Sequence, residues 1–194
     1  MRDYYEELPK KKYSIIYADP PWSYRDKKPA YKGPKVKAGG AWEHYDTMSI
    51  DDIKNMSVQS LADENCMLFL WCTFPNLKEG LGVMEAWGFD YRTLGFSWIK
   101  LNKNNGKPFF GIGYYTKSNC EVCLIGVKGK PIVESKTVSS VIIHKMLDEA
   151  NRVHSRKPDT VRDKIVELCG DIPRIELFAR QKSDGWDSWG NEIE

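Results

Sequence analysis

Six short apolar runs, rich in β-branched and aromatic residues, set the terms on which this chain can fold. They cover residues 14–17, 66–71, 93–99, 121–127, 138–143 and 174–178. Runs of this length read as buried strands and fall far short of a membrane span. Between some of them the spacing turns helical. Ser49-Ile50-Asp51-Asp52 resembles a capping box opening a short helix. Residues 76–87 put Leu77, Leu81, Met84 and Trp87 on one helical face, with Gly88 where a C-cap belongs. Pro158 and Asp159 start another helix, with Val161, Ile165 and Leu168 on one face and Gly170 ending it. Strands alternating with helices predict an α/β fold, a mainly parallel sheet between helical layers. Between Leu94 and Ile143 three strand runs follow one another with no good helix, which predicts antiparallel additions there.

The length of 194 residues suits a single domain over 1–194. Apolar residues at 41% and charged residues at 29% are ordinary for a soluble globular protein and exclude disorder as the main state. The N-terminus Met-Arg-Asp-Tyr-Tyr-Glu-Glu carries no apolar stretch before a cleavage site, and five cysteines are an odd count. Together they predict reduced thiols in a cytoplasmic protein without a membrane partner. Cys120 and Cys123 form a lone CxxC, and His44, His144 and His154 lack ligand spacing, so no metal site is expected. A net charge of +2 does not announce a nucleic-acid binder. The local distribution does more. Residues 25–40 hold Arg25, Lys27, Lys28, Lys32, Lys35 and Lys37 against one acid, Asp26. This basic segment follows the C-terminal end of the first strand, where open α/β sheets bind ligands. We expect a mobile loop over about 25–44 whose lysines meet phosphates.

Tyr17-Ala18-Asp19-Pro20-Pro21-Trp22 closes that first strand. A carboxylate, two prolines and a large aromatic at a strand end suit one task. An exocyclic amine on a purine is a poor nucleophile, because its lone pair is delocalised into the ring. A carboxylate and a backbone carbonyl, each accepting one N–H, draw the amine towards tetrahedral geometry and expose the lone pair. Asp19 supplies the first acceptor. The carbonyl of Pro20 supplies the second, its direction fixed by consecutive prolines at low entropic cost. Trp22 is expected to offer a face for the base, a contact contributing ~1–3 kcal/mol.

The tetrad Asp19-Pro20-Pro21-Trp22 resembles the signature of the MT-A70 family, which includes the catalytic subunit of the eukaryotic mRNA N6-adenosine methyltransferase and many bacterial and phage relatives. Further motifs follow in the family's order: Tyr45-Asp46-Thr47-Met48, Leu68-Phe69-Leu70-Trp71, Ala86-Trp87-Gly88-Phe89, Ser97-Trp98-Ile99-Lys100, His154-Ser155-Arg156-Lys157-Pro158, Glu176-Leu177-Phe178-Ala179-Arg180 and, at the close, Gly185-Trp186-Asp187 to Gly190-Asn191-Glu192. The resemblance implies a Rossmann-like methyltransferase with permuted motif order, using S-adenosylmethionine. The chemical tetrad comes first and most of the cofactor site last. Gly111-Ile112-Gly113 is a lone GxG without a following helix and gets no cofactor role.

On that resemblance Asp19, Pro20, Pro21 and Trp22 are the catalytic candidates. Tyr24, Tyr45, Lys32, Lys35 and Lys37 are the candidate substrate contacts. The cofactor candidates are Asp19, Pro21, Lys157, Glu176, Arg180, Ser183, Asn191 and Glu192, with Lys182, Asp3 and Tyr4 held more weakly. Lys157 precedes a helix start and suits a carboxylate. Glu176 lies in an apolar strand and needs a partner; Arg180, four residues on, is a candidate for that partner or for a contact to the ribose. Asp19 is an orienting acceptor rather than a strong base, since a newly methylated cationic amine readily loses its proton to water. Most of the acceleration would come from in-line positioning. The resemblance to the prokaryotic and phage branch implies DNA as substrate in a prokaryotic or phage-infected cell. RNA is the alternative, and a homo- or heterodimer with a related subunit is compatible. The contrasting reading is a non-catalytic nucleic-acid-binding subunit, in which the tetrad is lost; here it is intact.

Overall fold

In the computed structural model, which describes residues 7–23, 47–102, 104–111, 115–145, 156–191 and 193, each of the six runs contributes a strand. They are β1 (Tyr13–Ala18), β2 (Ala62–Cys72), β3 (Asp90–Leu101), β4 (Glu121–Lys128), β5 (Val141–Lys145) and β6 (Arg174–Leu177). A seventh, β7 (Asp187–Trp189), has no apolar run to announce it. Among the described residues three α-helices join them: α1 (Ile50–Asn55), α2 (Leu77–Ala86) and α3 (Thr160–Cys169). No helix among the described residues is long and apolar enough to cross a membrane.

The strands form one sheet in the order β5-β3-β4-β2-β1-β6-β7. β1 pairs parallel with β2 and β6, β3 with β5, and β6 with β7. β4 is antiparallel to both β2 and β3, so it alone runs against the rest. The antiparallel element expected after Leu94 is therefore a single strand; β5, placed with it, is parallel. This is a Rossmann-like arrangement of sheet and helices. The chain leaves β1 for β2 on one side and returns through α3 to β6 on the other. The C-terminal end of β1 is thus a topological switch point, where crevices form in open α/β sheets.

Two apolar layers follow from the alternation of strand residues. Ile16 and Ala18 of β1 enter one buried cluster with Leu68, Leu70, Val83, Met84 and Trp87, under α1 and α2. Ile15 and Tyr17 enter the other with Phe69, Trp71, Phe96, Trp98, Val161 and Ile165, under α3. Ser49 caps α1: its Oγ accepts the Asp52 N–H at 3.1 Å, as the capping box predicts. Of the expected face of α2, Met84 and Trp87 are buried and Leu77 is half-buried, whereas Leu81 is exposed; Gly80 and Val83 are buried in addition. A Cβ at Gly80 would stand 3.3 Å from Cys72 Cβ, so the missing side chain lets α2 lie close on β2.

Candidate active site

The same alternation decides which polar side chains meet. Past Tyr17, the next residue on the α3 face is Asp19. On β4, Val122 and Leu124 face α1 and α2 while Cys123 faces α3, which puts Glu121 on the α3 face. On β3, Phe96 and Trp98 face α3, and Lys100 follows them. Lys157 arrives at this face just ahead of α3. Its Nζ donates to Asp19 Oδ2 at 2.6 Å and lies 3.2 Å from Glu121 Oε2. Glu121 Oε1 in turn accepts from Lys100 Nζ. Four charges of alternating sign thus link the ends of β1, β3 and β4 to the start of α3.

Lys157 is 7% exposed and Glu121 8%. Its ammonium also sits 5.4 Å from the centroid of the Trp71 ring, and that of Lys100 5.0 Å from Trp98. Burial acts to lower the Lys157 ammonium, but Asp19 and Glu121 outweigh it and hold it above the ordinary lysine range. Burial pushes the Glu121 carboxyl up, and Lys157 with Lys100 outweighs that and holds it below its ordinary value. The nearby Cys72 thiol is pushed up to about 12 by burial first, then by Glu121 and Asp19. It stays protonated and takes no nucleophilic role. What the cluster supplies is a fixed carboxylate at the switch point, with one oxygen held by a buried cation.

The loop after β1 is also fixed. The Trp22 N–H donates to the Pro20 carbonyl at 2.8 Å, and the Met48 N–H to the Pro21 carbonyl at 2.9 Å. Pro20 is buried. Trp22 corrects the sequence reading. It is 4% exposed, and its Nε1 donates to the Trp71 carbonyl at 3.0 Å. Trp71 Nε1 donates to the Tyr17 hydroxyl at 2.8 Å. Trp22 is a buried brace for the loop, and its face is not open to a base. Apolar surroundings plus a satisfied N–H make burial the favoured state for an indole.

Glu176 brings a second correction. It faces α3, because its neighbours Ile175 and Leu177 enter the opposite layer. Its partner is Arg162, not Arg180: Nε and Nη2 of Arg162 donate to the two carboxylate oxygens at 2.7 Å each. Arg162 Nη1 also donates to Asp159 at 2.7 Å. A residue one turn along α3 reaches back over β6 more directly than one that follows the strand. Arg180 is half-buried beyond β6, Ser183 accepts the Trp186 N–H at 3.1 Å through its carbonyl, and Asn191 is exposed in a turn after β7. Tyr24, Lys32, Lys35, Lys37, Tyr45 and Glu192 lie outside the described residues, as do the rest of the basic segment, Asp3, Tyr4, His44 and His154.

Sequence reading missed Glu121, Lys100 and Arg162. Each carried a signal: a charge on the inward alternation of a buried strand, or a charge one residue from Val161 on the buried stripe of a helix. A groove of about 580 Å³, lined by Leu8, Pro9, Met56, Ser60 and Trp189 among others, holds none of the cluster's residues.

The model of the MT-A70 family matches residues 13–192, a span that includes the whole sheet and the charged cluster. Type II methyltransferase M.MunI of Mycoplasma sp is 35% identical over 200 residues, covering 97% of this chain and 81% of that protein. The probable N(6)-adenosine-methyltransferase MT-A70-like of Oryza sativa is 29% identical over 93% of this chain. The human N(6)-adenosine-methyltransferase catalytic subunit METTL3 is 27% identical over 94% of it. The chain spans only 23% and 28% of those two longer proteins. With the tetrad at the end of β1, Lys157 ahead of α3 and Glu176 on β6 all inside the matched span, the chain belongs to the MT-A70 family of methyltransferases.

Proposed function

We propose that this protein transfers the methyl group of S-adenosylmethionine to the N6 amine of adenine in DNA. The observation that carries the reading is the Asp19 carboxylate, held by buried Lys157 at the switch point of the sheet. Lys157 occupies Oδ2, and Oδ1 is the oxygen that would accept an amine N–H. The Pro20 carbonyl, oriented by the Trp22 N–H, supplies the second acceptor. Two acceptors on one amine disfavour its planar, delocalised form. They act on the transition state more than on the bound substrate, which is the condition for raising the rate.

The residues at this end of the sheet fit the cofactor. Lys157 is a buried cation for its carboxylate, and Glu176, Arg180, Ser183 and Asn191 bring hydrogen-bonding groups for its ribose and adenine. Thr73 Oγ1 and Asn76 Nδ2, just past β2, are buried without a hydrogen-bond partner, as expected beside a ligand site. When bound, the cofactor supplies an electrophilic methyl on a sulfonium. Trp22 and Pro21 act by fixing the loop. Tyr24, Tyr45, Lys32, Lys35 and Lys37 complete the proposal as contacts to the nucleic acid.

DNA is preferred to RNA because the likeness to the type II methyltransferase is higher in identity and far fuller in coverage than that to the N(6)-adenosine methyltransferases. The test is transfer of a tritiated methyl group to matched DNA and RNA oligonucleotides, followed by nucleoside analysis. We expect N6-methyldeoxyadenosine. Label only in N6-methyladenosine would move the substrate to RNA, and label in neither would refute the reading.

A further inference from the structure

Between β3 and β4 the chain runs out past the end of the sheet that carries Asp19. The described residues of this arm, 102, 104–111 and 115–119, contain Lys107 and Lys117, the aromatic residues Phe109, Phe110 and Tyr115, and no acid. Its described part is closed by backbone hydrogen bonds. The Asn102 N–H donates to the Lys107 carbonyl at 2.8 Å, and Gly111 and Ser118 exchange N–H···O bonds of 2.6 and 3.1 Å. Asn119 fixes the base of the arm: its Nδ2 donates to the Lys100 carbonyl at 3.0 Å and to the Phe109 carbonyl, and its Oδ1 accepts the Lys100 N–H at 3.2 Å. Lys100 is also the outermost charge of the chain through Glu121 and Lys157 to Asp19. The arm is therefore anchored directly to the candidate active site.

Two aromatic rings on the arm bury little. Phe110 is 55% exposed and Tyr115 fully exposed. Lys107 and Lys117 are exposed beside them, and the Lys117 ammonium lies 5.7 Å from the Phe110 ring centroid. Open rings contribute nothing to the core. Rings interleaved with cations and with no carboxylate match a strand of bases joined by phosphates. A second copy of this chain packed arm on arm about a two-fold axis would set lysine against lysine.

We propose that this arm is the platform for the nucleotides flanking the target adenine. Phe110 and Tyr115 stack on unpaired bases, and Lys107 and Lys117 meet phosphates. The proposal rests on the adenine-methyltransferase reading and adds to it where the flanking strand lies, away from the basic segment after β1. Because stacking needs a free base face, the arm favours single strands, or the locally opened strand that an extruded adenine leaves.

The test is fluorescence anisotropy with a labelled, adenine-containing single-stranded DNA, measured over a range of salt on the full chain. Phe110→Ala with Tyr115→Ala should weaken binding by roughly tenfold or more at every salt concentration. Lys107→Gln with Lys117→Gln should flatten the slope of log K against log salt by about 1.4, at ~0.7 per phosphate contact. Both double variants should keep the wild-type melting temperature and cofactor affinity, since these side chains are exposed and outside the cluster. Wild-type affinity and slope in both variants would overturn the proposal. So would a change from dimer to monomer in sedimentation with unaltered DNA affinity, which would make the arm a protein interface. A wild-type protein that methylates DNA while both variants bind normally removes the arm alone. A wild-type protein that binds neither DNA nor RNA removes the underlying reading as well.

Discussion

Trp22 shows how a single residue's role turns on burial. In the sequence it stands beside Asp19 and invites a stacking role; in the fold it is enclosed, with its N–H on the Trp71 carbonyl. Trp22→Ala should therefore destabilise the protein by ~3–5 kcal/mol, the range for a buried aromatic, as read by denaturant unfolding. A stacking residue would leave stability unchanged and alter only nucleic-acid affinity. Glu121 makes a different kind of prediction. Its carboxyl is held below its ordinary value of 4.5 by Lys157 and Lys100, which outweigh its burial. In the window between the lowered folded value and the unfolded one, the unfolded chain binds more protons. The stability this gives is present above the unfolded value and is lost as pH falls through the folded one. Melting temperature should drop on acidification below about pH 4.5, and Glu121→Gln should remove part of that slope while lowering stability at neutral pH, because Lys157 loses a carboxylate partner. An unchanged acid limb in the variant would contradict the assignment.

At the scale of elements, the contact between α3 and β6 depends on one buried ion pair. Arg162 from the helix forks onto Glu176 from the strand, and both side chains are about nine-tenths buried. Burial of a charge is costly unless a partner compensates, so breaking such a pair costs ~3–5 kcal/mol while replacing both partners costs much less. Arg162→Met should fall in that range by thermal or denaturant unfolding. The double variant Arg162→Met with Glu176→Leu should recover a large part of the loss, and equal losses in the single and double variants would show that the pair is not coupled. The element boundaries explain what was legible. Short apolar runs announced β1 to β6, and in β1, β2, β4 and β6 they are continuous because both faces of the strand are covered. β7 was silent because Asp187-Ser188-Trp189 is three residues at an edge, all half-buried. Its position comes from tertiary contacts instead: Asp187 accepts from the Tyr13 hydroxyl at 2.8 Å and from Lys11 at 2.6 Å, which ties the closing segment to the start of β1.

For the whole molecule, the permuted order of motifs is reconciled by the sheet. Asp19 and Lys157 are separated by 138 positions in the chain, and the parallel crossover from β5 through α3 to β6 brings them to 2.6 Å. Sequence alone named both residues, from the tetrad and from the family resemblance, but it could not join them, because no local pattern records which strand ends lie side by side. Glu121 and Arg162 each showed as a charge on a buried face, but their roles could not be read, because each acts through a partner distant in sequence. The measurement that bears most directly on the account is single-turnover methyl transfer to an adenine-containing oligonucleotide by wild-type protein and by Asp19→Ala, with cofactor affinity followed by calorimetry. If Asp19 orients the amine, the variant should lose at least ~10²-fold in rate, as for other contacts made to a transition state, while still binding S-adenosylmethionine. A variant that retains more than about a tenth of the wild-type rate would contradict the role assigned to Asp19.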